Sequence, residues 1–372
     1  MKHVAFVIPG VDRIGGAERQ AILVAGGLVP RGWRVSLIAL SGEGGEARRE
    51  LEAAGVSFLS LAMRKGLADP RGWLRMRRWL HRNTPDVLHA HLPHGAWMAR
   101  VARLLAPVPV VVDTAHTVST GSAARRYLYR ITSRLTDSMT AVSAPVADAC
   151  LSAHMNPAAQ MAIVPNGIDV ARWSPDKAAG ARLRAKMGLA DRFVWLAAGR
   201  LEPVKDYETL LEAFARLPQN AYLVIAGAGS LESELLNRCR RLAIDSRVLF
   251  LGFTPDVMGW MQAADAFALI SRWEGLPMCL LEAGACALPS IATGVPGSKE
   301  IVVDGETGFL CRPGDAASVG GAMHRMMQMP PASRLSMGLN ARHRIEQQFG
   351  LESVLDRWEQ LYTNLLLRHQ RP

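Results

Sequence analysis

The 372-residue chain is short of cysteine, of long apolar runs and of aromatic side chains, and each shortage narrows the reading. Its five cysteines, at 150, 239, 279, 286 and 311, form no C-x-x-C pair. That argues against a zinc site or a disulfide framework and for reduced thiols in a cytoplasmic protein. The apolar run Val4 to Ile8 is shorter than the apolar region of a signal peptide, and no cleavage site follows it. No stretch approaches the ~20 apolar residues that span a bilayer. The expectation is a protein without a visible secretion signal and not integral to a membrane. Two chemical signatures are also missing. No G-x-G-x-x-G follows the first apolar strand, which speaks against a dinucleotide oxidoreductase, and no Asp-x-Asp is present to hold a divalent metal.

What is present is a globular composition, 49% apolar and 20% charged, at a length that suits two domains. The net charge of +10 is unevenly spread. Residues 1–180 hold 22 Lys and Arg against 13 Asp and Glu, whereas residues 181–372 hold 21 against 20. A field confined to the first half suits an anionic partner, either acidic lipid or nucleic acid. No nucleic-acid-binding motif accompanies it, so a basic nucleic-acid-binding protein is the lesser alternative.

The first half alternates short β-rich runs (Val4–Ile8, Arg34–Leu40, Val56–Leu59, Asp86–Ala90, Pro109–Asp113, Ser138–Val142) with helical stretches. The same alternation restarts after residue 190 with Phe193–Ala198, Ala221–Ala226, Val248–Leu251, Ala266–Ile270 and Pro289–Ala292. Near-continuous apolar strands separated by helices predict parallel sheets covered on both faces. The fold class is therefore α/β: two doubly wound, Rossmann-like domains facing across a cleft. The expected limits are 1–180, 181–348 and a terminal segment 349–372, with the Pro-, Gly- and charge-rich stretch Asn166–Lys186 as linker. In the terminal segment Leu351, Val354, Leu355, Trp358, Leu361, Tyr362, Leu365 and Leu366 recur at helical spacing. They predict an amphipathic helix crossing back to the first domain and packing over the junction.

Three groups of residues could carry chemistry at the carboxyl ends of such sheets. Gly15 and Gly16 follow the first strand and precede a helix, so backbone can approach an anion there; the plainer reading is a glycine-rich turn. Arg200 and Lys205 sit in a loop after the first strand of the second half and can clamp a diphosphate, unless they are merely a solvated surface pair. Glu274 and Glu282 are separated by seven residues, with Gly275 and Pro277 between them. Pro277 suits the first helical position, which leaves Glu274 in a loop and Glu282 on the helix. The amides of Leu276, Met278 and Cys279 would then face the cleft.

The stretch 71–82, RGWLRMRRWLHR, combines Arg71, Arg75, Arg77, Arg78 and Arg82 with a stripe of Trp73, Met76, Trp79 and Leu80. Arg125, Arg126, Arg130 and Arg134 add a second basic face. Either the stripe packs on the sheet and the arginines are solvated, or the helix meets an anionic bilayer surface.

The second half resembles the retaining GT-B glycosyltransferases of the family 4 group. The resemblance rests on VPNGID (164–169), GRLEPVKDYETLLEAF (199–214), IAGAGS (225–230), FLGF (250–253), the E-x7-E pair (274–282) and VDGETGFL (303–310), in the family's order. The first half matches more loosely, through Gly15–Gly16, the helix at 17–29 and VVVDTAHT (110–117). The resemblance implies that Arg200 and Lys205 neutralise a nucleotide-sugar's diphosphate, that Glu282 binds the ribose and that Glu274 contacts the transferred sugar. Gly275, Leu276, Pro277 and Met278 would line the donor, and Gly15 and Gly16 the phosphate and acceptor side. His116 matches a histidine that contacts the donor sugar and organises the acceptor; otherwise it is a structural histidine at a strand end. Retention of configuration, no cofactor and no metal are implied. So is a lipid-linked or polysaccharide acceptor in cell-envelope glycan or lipopolysaccharide assembly, at the inner face of the cytoplasmic membrane. A related-fold nucleotide-sugar epimerase is the remaining alternative. Asp206 and Ala228 depart from residues common in the family, which often has Gly and Asp there.

Overall fold

The computed structural model describes residues 1–369 apart from Arg13, Lys65 and Pro255. The chain divides into two compact units: Met1–Gly167 with Leu351–Pro372, and Ile168–Gly350.

In the first unit seven strands form one sheet: β1 (His3–Gly10), β2 (Arg34–Ser41), β3 (Ser57–Ser60), β4 (Val87–His91), β5 (Val110–Ala115), β6 (Ser138–Ala141) and β7 (Met161–Ile163). Their order is β3-β2-β1-β4-β5-β6-β7, and every pairing is parallel. The second unit repeats the plan with β8 (Phe193–Ala198), β9 (Ala221–Ala226), β10 (Val248–Gly252), β11 (Ala266–Leu269), β12 (Ser290–Thr293) and β13 (Gly308–Cys311), ordered β10-β9-β8-β11-β12-β13 and again parallel. Val4 to Ile8 in β1 and all of β8 are buried, as continuous apolar strands covered on both faces must be. Each sheet reverses its winding once, between β1 and β4 and between β8 and β11. At such a switch point two neighbouring loops leave the carboxyl edge in opposite directions and open a crevice.

The units part at 167/168, earlier than the expected 180/181. The segment expected as linker contains a helix, Lys177–Lys186, that packs on Val257–Ala263 of the second unit. At Gly180 an added Cβ would fall 2.1 Å from the Gln262 carbonyl oxygen, so the two helices touch backbone to backbone. The terminal helix, Leu351–His369, belongs to the first unit. Val354, Leu355, Trp358, Tyr362, Leu365 and Leu366 join the core of β1, β2 and helix Gly16–Leu28. Arg31 pairs with Glu352, Asp356 and Glu359 along its rim.

The basic helix spans Pro70–Asn83, capped by the Asp69 side chain. Gly72, Met76 and Leu80 are buried, and Trp73 and Trp79 pack against the same cluster. Its apolar stripe is therefore core, which removes the stripe as a membrane-inserting face and leaves the arginines outside with Leu74 and His81. Helix Ala123–Ile131 behaves differently. Tyr129 alone is buried, while Tyr127 is 63% and Ile131 54% exposed. Among the described residues no helix is long and apolar enough to cross a membrane.

Candidate active site

In the second unit the chain leaves β8 at Gly199, makes a short 3-10 turn over Pro203–Lys205 and starts helix Tyr207–Phe214. The loop after β9 fits beneath it because Gly227 has no side chain. A Cβ there would lie 1.9 Å from the Gly199 carbonyl oxygen. The loop after β11 is joined to the same turn by Arg272, whose amide donates to the Val204 carbonyl at 2.8 Å. Asp206, with φ of 48° and almost fully buried, anchors the Arg272 guanidinium at 3.3 Å.

These ties bring Lys205 and Glu274 together across the switch point. Lys205 Nζ donates to Glu274 Oε1 at 2.6 Å, and Ser271 Oγ donates to the same oxygen at 2.6 Å. Ser271 is itself held by Thr293, which donates to its carbonyl. The pair is only 14% and 12% exposed. Burial alone would lower the pKa of Lys205, but it stands raised, with the field of Glu274 and the hydrogen bond to it acting against burial. The ammonium therefore stays charged. Burial pushes the Cys279 thiol up to about 12, so this cysteine is a neutral neighbour, not a nucleophile.

Helix Met278–Ala285 opens directly after that loop, with Pro277 as N-cap instead of the expected first helical residue. Leu280 and Leu281 take the Pro277 carbonyl as acceptor, leaving the first-turn amides of Met278 and Cys279 without an intrahelical partner. Such a helix tip favours an anion. Gly275 and Leu276 are buried in the turn, and Glu282, half-buried, lies one turn in and raises the thiols of Cys279 and Cys286 by its field. Arg200 is exposed at the start of the β8 loop, and its field works against the protonation of Lys205. Its guanidinium makes no hydrogen bond or ion pair among the described residues. The fold thus gathers Arg200, Lys205, Glu274 and the helix tip at one switch point. Beside the Lys205–Glu274 pair, Arg200 and the helix tip present positive charge, with the Glu282 carboxylate one turn further along the helix.

The first unit's switch point carries the other expected residues. Gly15 is the N-cap of helix Gly16–Leu28, and its amide donates to the Glu18 carboxylate at 3.1 Å. A carboxylate of the chain itself thus sits at that helix tip. His116 follows β5, with its Nε2 2.8 Å from His91 Nδ1 at the end of β4. His91 lies against His89 with ring centroids 4.4 Å apart. His89 bridges Tyr362 of the terminal helix at 2.6 Å and Thr114 at 2.7 Å. Burial lowers the pKa of His116 to about 4 and that of His89 to about 3, the latter helped by the field of His116. All three rings are neutral near pH 7.

His89 divides its two ring nitrogens between Tyr362 and Thr114, and Thr114 hydrogen-bonds Thr140 at 2.6 Å. Burial sets the tautomer of the other two rings. Among the described residues His91 Nε2 is buried without a partner. An orphan N–H costs more than an orphan lone pair, so His91 carries its proton on Nδ1 and donates to His116. His116 then bears its own proton on Nδ1.

A family model described as Glycosyl transferases group 1 matches residues 181–344, and one described as Glycosyltransferase Family 4 matches residues 14–172. The putative glycosyltransferase EpsF of Bacillus subtilis is 32% identical over 260 residues, 66% of this chain and 67% of the relative. The chain is a GT-B glycosyltransferase of the family 4 group. The UDP-Gal:alpha-D-GlcNAc-diphosphoundecaprenol alpha-1,3-galactosyltransferase of Escherichia coli is 26% identical over 315 residues, 81% of each chain. Among solved structures, Anabaena HepE in complex with UDP and glucose superposes with a TM-score of 0.88 at 21% identity, covering 98% of this chain and 100% of that one.

The glycosyltransferase's two departures from the family pattern have local explanations. Position 206 has a left-handed backbone, which glycine adopts freely. Here an aspartate accepts that conformation and adds the Arg272 pair. Ala228 is exposed between Gly227 and Gly229, and its carbonyl, not its side chain, accepts from the Leu201 amide. Sequence reasoning missed Ser271, His89, His91 and Tyr362. The H-x-H spacing of 89 and 91 on a strand places both rings on one face, and it was the available signal.

Proposed function

We propose that this glycosyltransferase moves a hexose or N-acetylhexosamine from a nucleotide-diphosphate sugar to a lipid-linked or polysaccharide acceptor, retaining the anomeric configuration and needing no metal. The observation that carries the reading is the Lys205–Glu274 pair at the mouth of helix Met278–Ala285, with the unpaired guanidinium of Arg200 beside it. As the bond from the anomeric carbon to the diphosphate oxygen breaks, negative charge grows on the diphosphate. Arg200, Lys205 and the helix tip stabilise it in place of a divalent cation. Glu274 hydrogen-bonds the departing sugar, Glu282 takes the ribose hydroxyls, and Gly275 to Met278 border the diphosphate. The acceptor hydroxyl attacks from the face the diphosphate leaves, and its proton passes to the leaving phosphate oxygen. His116 Nδ1–H donates to the sugar, and Gly15 and Gly16 line the acceptor side.

The acceptor class is supported by the Escherichia coli relative, whose name gives α-D-GlcNAc-diphosphoundecaprenol. That fits envelope polysaccharide or lipopolysaccharide assembly by a cytoplasmic, peripheral enzyme. The exposed Tyr127, Leu128 and Ile131 beside Arg126 and Arg130 are the face proposed to meet an anionic bilayer. The direct experiment is a screen of UDP-, GDP- and ADP-sugars, with and without EDTA, scored by nucleoside-diphosphate release and by NMR of the product's anomeric proton. Release that persists in EDTA with the donor's configuration kept is expected. Inversion, or dependence on an added divalent ion, contradicts the proposal.

A further inference from the structure

Beside His116 the first unit holds a cavity of about 210 Å³ at the carboxyl edge of β4 and β5, walled by Thr117, Ser119, Thr120, Arg125, Tyr129 and Met155 among others. Among the described residues no carboxylate lines it. Arg125 does, half-buried, and its guanidinium makes no hydrogen bond or ion pair among the described residues. Asp113, whose field reaches Tyr129 and Cys150 on the wall, is already neutralised by Arg100 through two hydrogen bonds of 2.9 and 3.1 Å. The loop over Arg125 is shaped to leave it room. Gly121, at φ of 75°, lies against it so closely that a Cβ would fall 2.6 Å from Arg125 Nη1. Arg126 ties the same loop by donating to the Gly121 carbonyl at 2.8 Å.

A half-buried guanidinium with no counterion among the described residues, in a cavity rimmed by hydroxyls, selects an anion with several acceptor oxygens. We propose that this cavity is a phosphate subsite for the acceptor, in which Arg125, with the hydroxyls of Thr117, Ser119 and Thr120, takes the phosphoryl group next to the sugar that receives the transfer. The proposal rests on the reading of the first unit as the acceptor side.

Calorimetric titration of the full chain tests it with three probes: farnesyl-diphosphate-linked N-acetylglucosamine, N-acetylglucosamine 1-phosphate, and a phosphate-free farnesyl N-acetylglucosaminide. Loss of one charge-assisted contact is worth about tenfold or more in affinity. The expected result is that Arg125→Gln weakens a phosphate-bearing probe at least tenfold and leaves the phosphate-free probe unchanged, with Arg125→Lys in between. Equal binding of the first two probes identifies a soluble phosphate as the source; preference for the farnesyl diphosphate identifies a lipid-linked one. An Arg125→Gln effect that is absent, or equal on all three probes, overturns the subsite. Should Arg125→Gln not fold, Arg125→Lys and Arg125→Met are compared on the same probes. Arg200→Ala, titrated with UDP, GDP and ADP in parallel, keeps the outcomes apart. Nucleotide binding lost there with no Arg125 effect sinks the cavity alone, whereas unchanged nucleotide binding sinks the donor reading.

Discussion

Lys205 and Glu274 meet at 2.6 Å across the switch point of the second sheet, each nearly buried and each brought there by a different loop. The pair has a structural and a chemical role, and the two can be separated. Lys205→Ala leaves a buried carboxylate without its cation, a cost on the order of 3 kcal/mol. It also removes a charge aimed at the leaving diphosphate, expected to lower turnover by about 10²- to 10³-fold. The double variant Lys205→Met with Glu274→Gln leaves no charge stranded. Its melting temperature returns most of the way to wild type while its turnover does not. Recovery of both would show the pair to be scaffolding only.

Asp206 offers a second separation. A left-handed backbone costs a residue with a Cβ about 1 kcal/mol relative to glycine. Asp206→Gly loses the Arg272 pair but sheds that cost, so its stability stays within about 1 kcal/mol of wild type. Asp206→Ala keeps the backbone cost and loses the pair, and it is the less stable of the two by denaturant unfolding. The reverse order would contradict a left-handed backbone cost at this position, and an Asp206→Gly chain much less stable than wild type would mean the pair outweighs the backbone.

The neutral histidines make stability depend on pH in a defined window. His116 titrates near 4 and His89 near 3 in the folded chain, both below the unfolded value of 6.5. Between those limits the unfolded chain binds more protons, so stability is complete above pH 6.5 and falls as the pH drops. Each histidine steepens the fall by up to about 1.4 kcal/mol per pH unit. Melting temperatures measured from pH 7 to 4.5 are expected to decline, and His116→Asn is expected to flatten the curve. An unchanged slope in that variant counts against a buried neutral His116.

His91 touches no sugar in this account; it sets the tautomer of His116 by donating to Nε2. His91→Phe keeps a ring against Phe6 and removes the donor. Turnover is expected to fall about tenfold, with nucleoside-diphosphate affinity unchanged. Loss of nucleotide affinity instead would point to collapse of the unit.

Much of this was legible in the sequence because burial on both faces writes itself as continuous apolar runs. The strands from Val4–Ile8 to Pro289–Ala292 were found on that signal, and ordered motifs located Arg200, Lys205, Glu274 and Glu282. The misses have physical causes. Helix Pro331–Phe349 was not predicted, because it is held as much by arginine as by apolar contacts. Arg342 donates to the Ala285 and Trp173 carbonyls, Arg344 to those of Ile301 and Glu300, and Gly338 meets the Ala287 backbone. No periodicity of apolar residues reports such contacts. The three-residue β7 is too short for any pattern. The two tryptophans at 73 and 79 left core and bilayer equally open until the structure placed them on the sheet.

The account depends on a diphosphate being gripped at the second switch point, and affinity for the diphosphate alone tests that most directly. For whichever of UDP, GDP or ADP binds, its affinity is compared with that of the parent nucleoside, in wild type and in Arg200→Ala with Lys205→Met. The diphosphate is expected to tighten binding at least a hundredfold in wild type, about 3 kcal/mol, and by little in the double variant. The same advantage in both proteins would show that these cations do not hold the phosphates, and the mechanism built on them would fall.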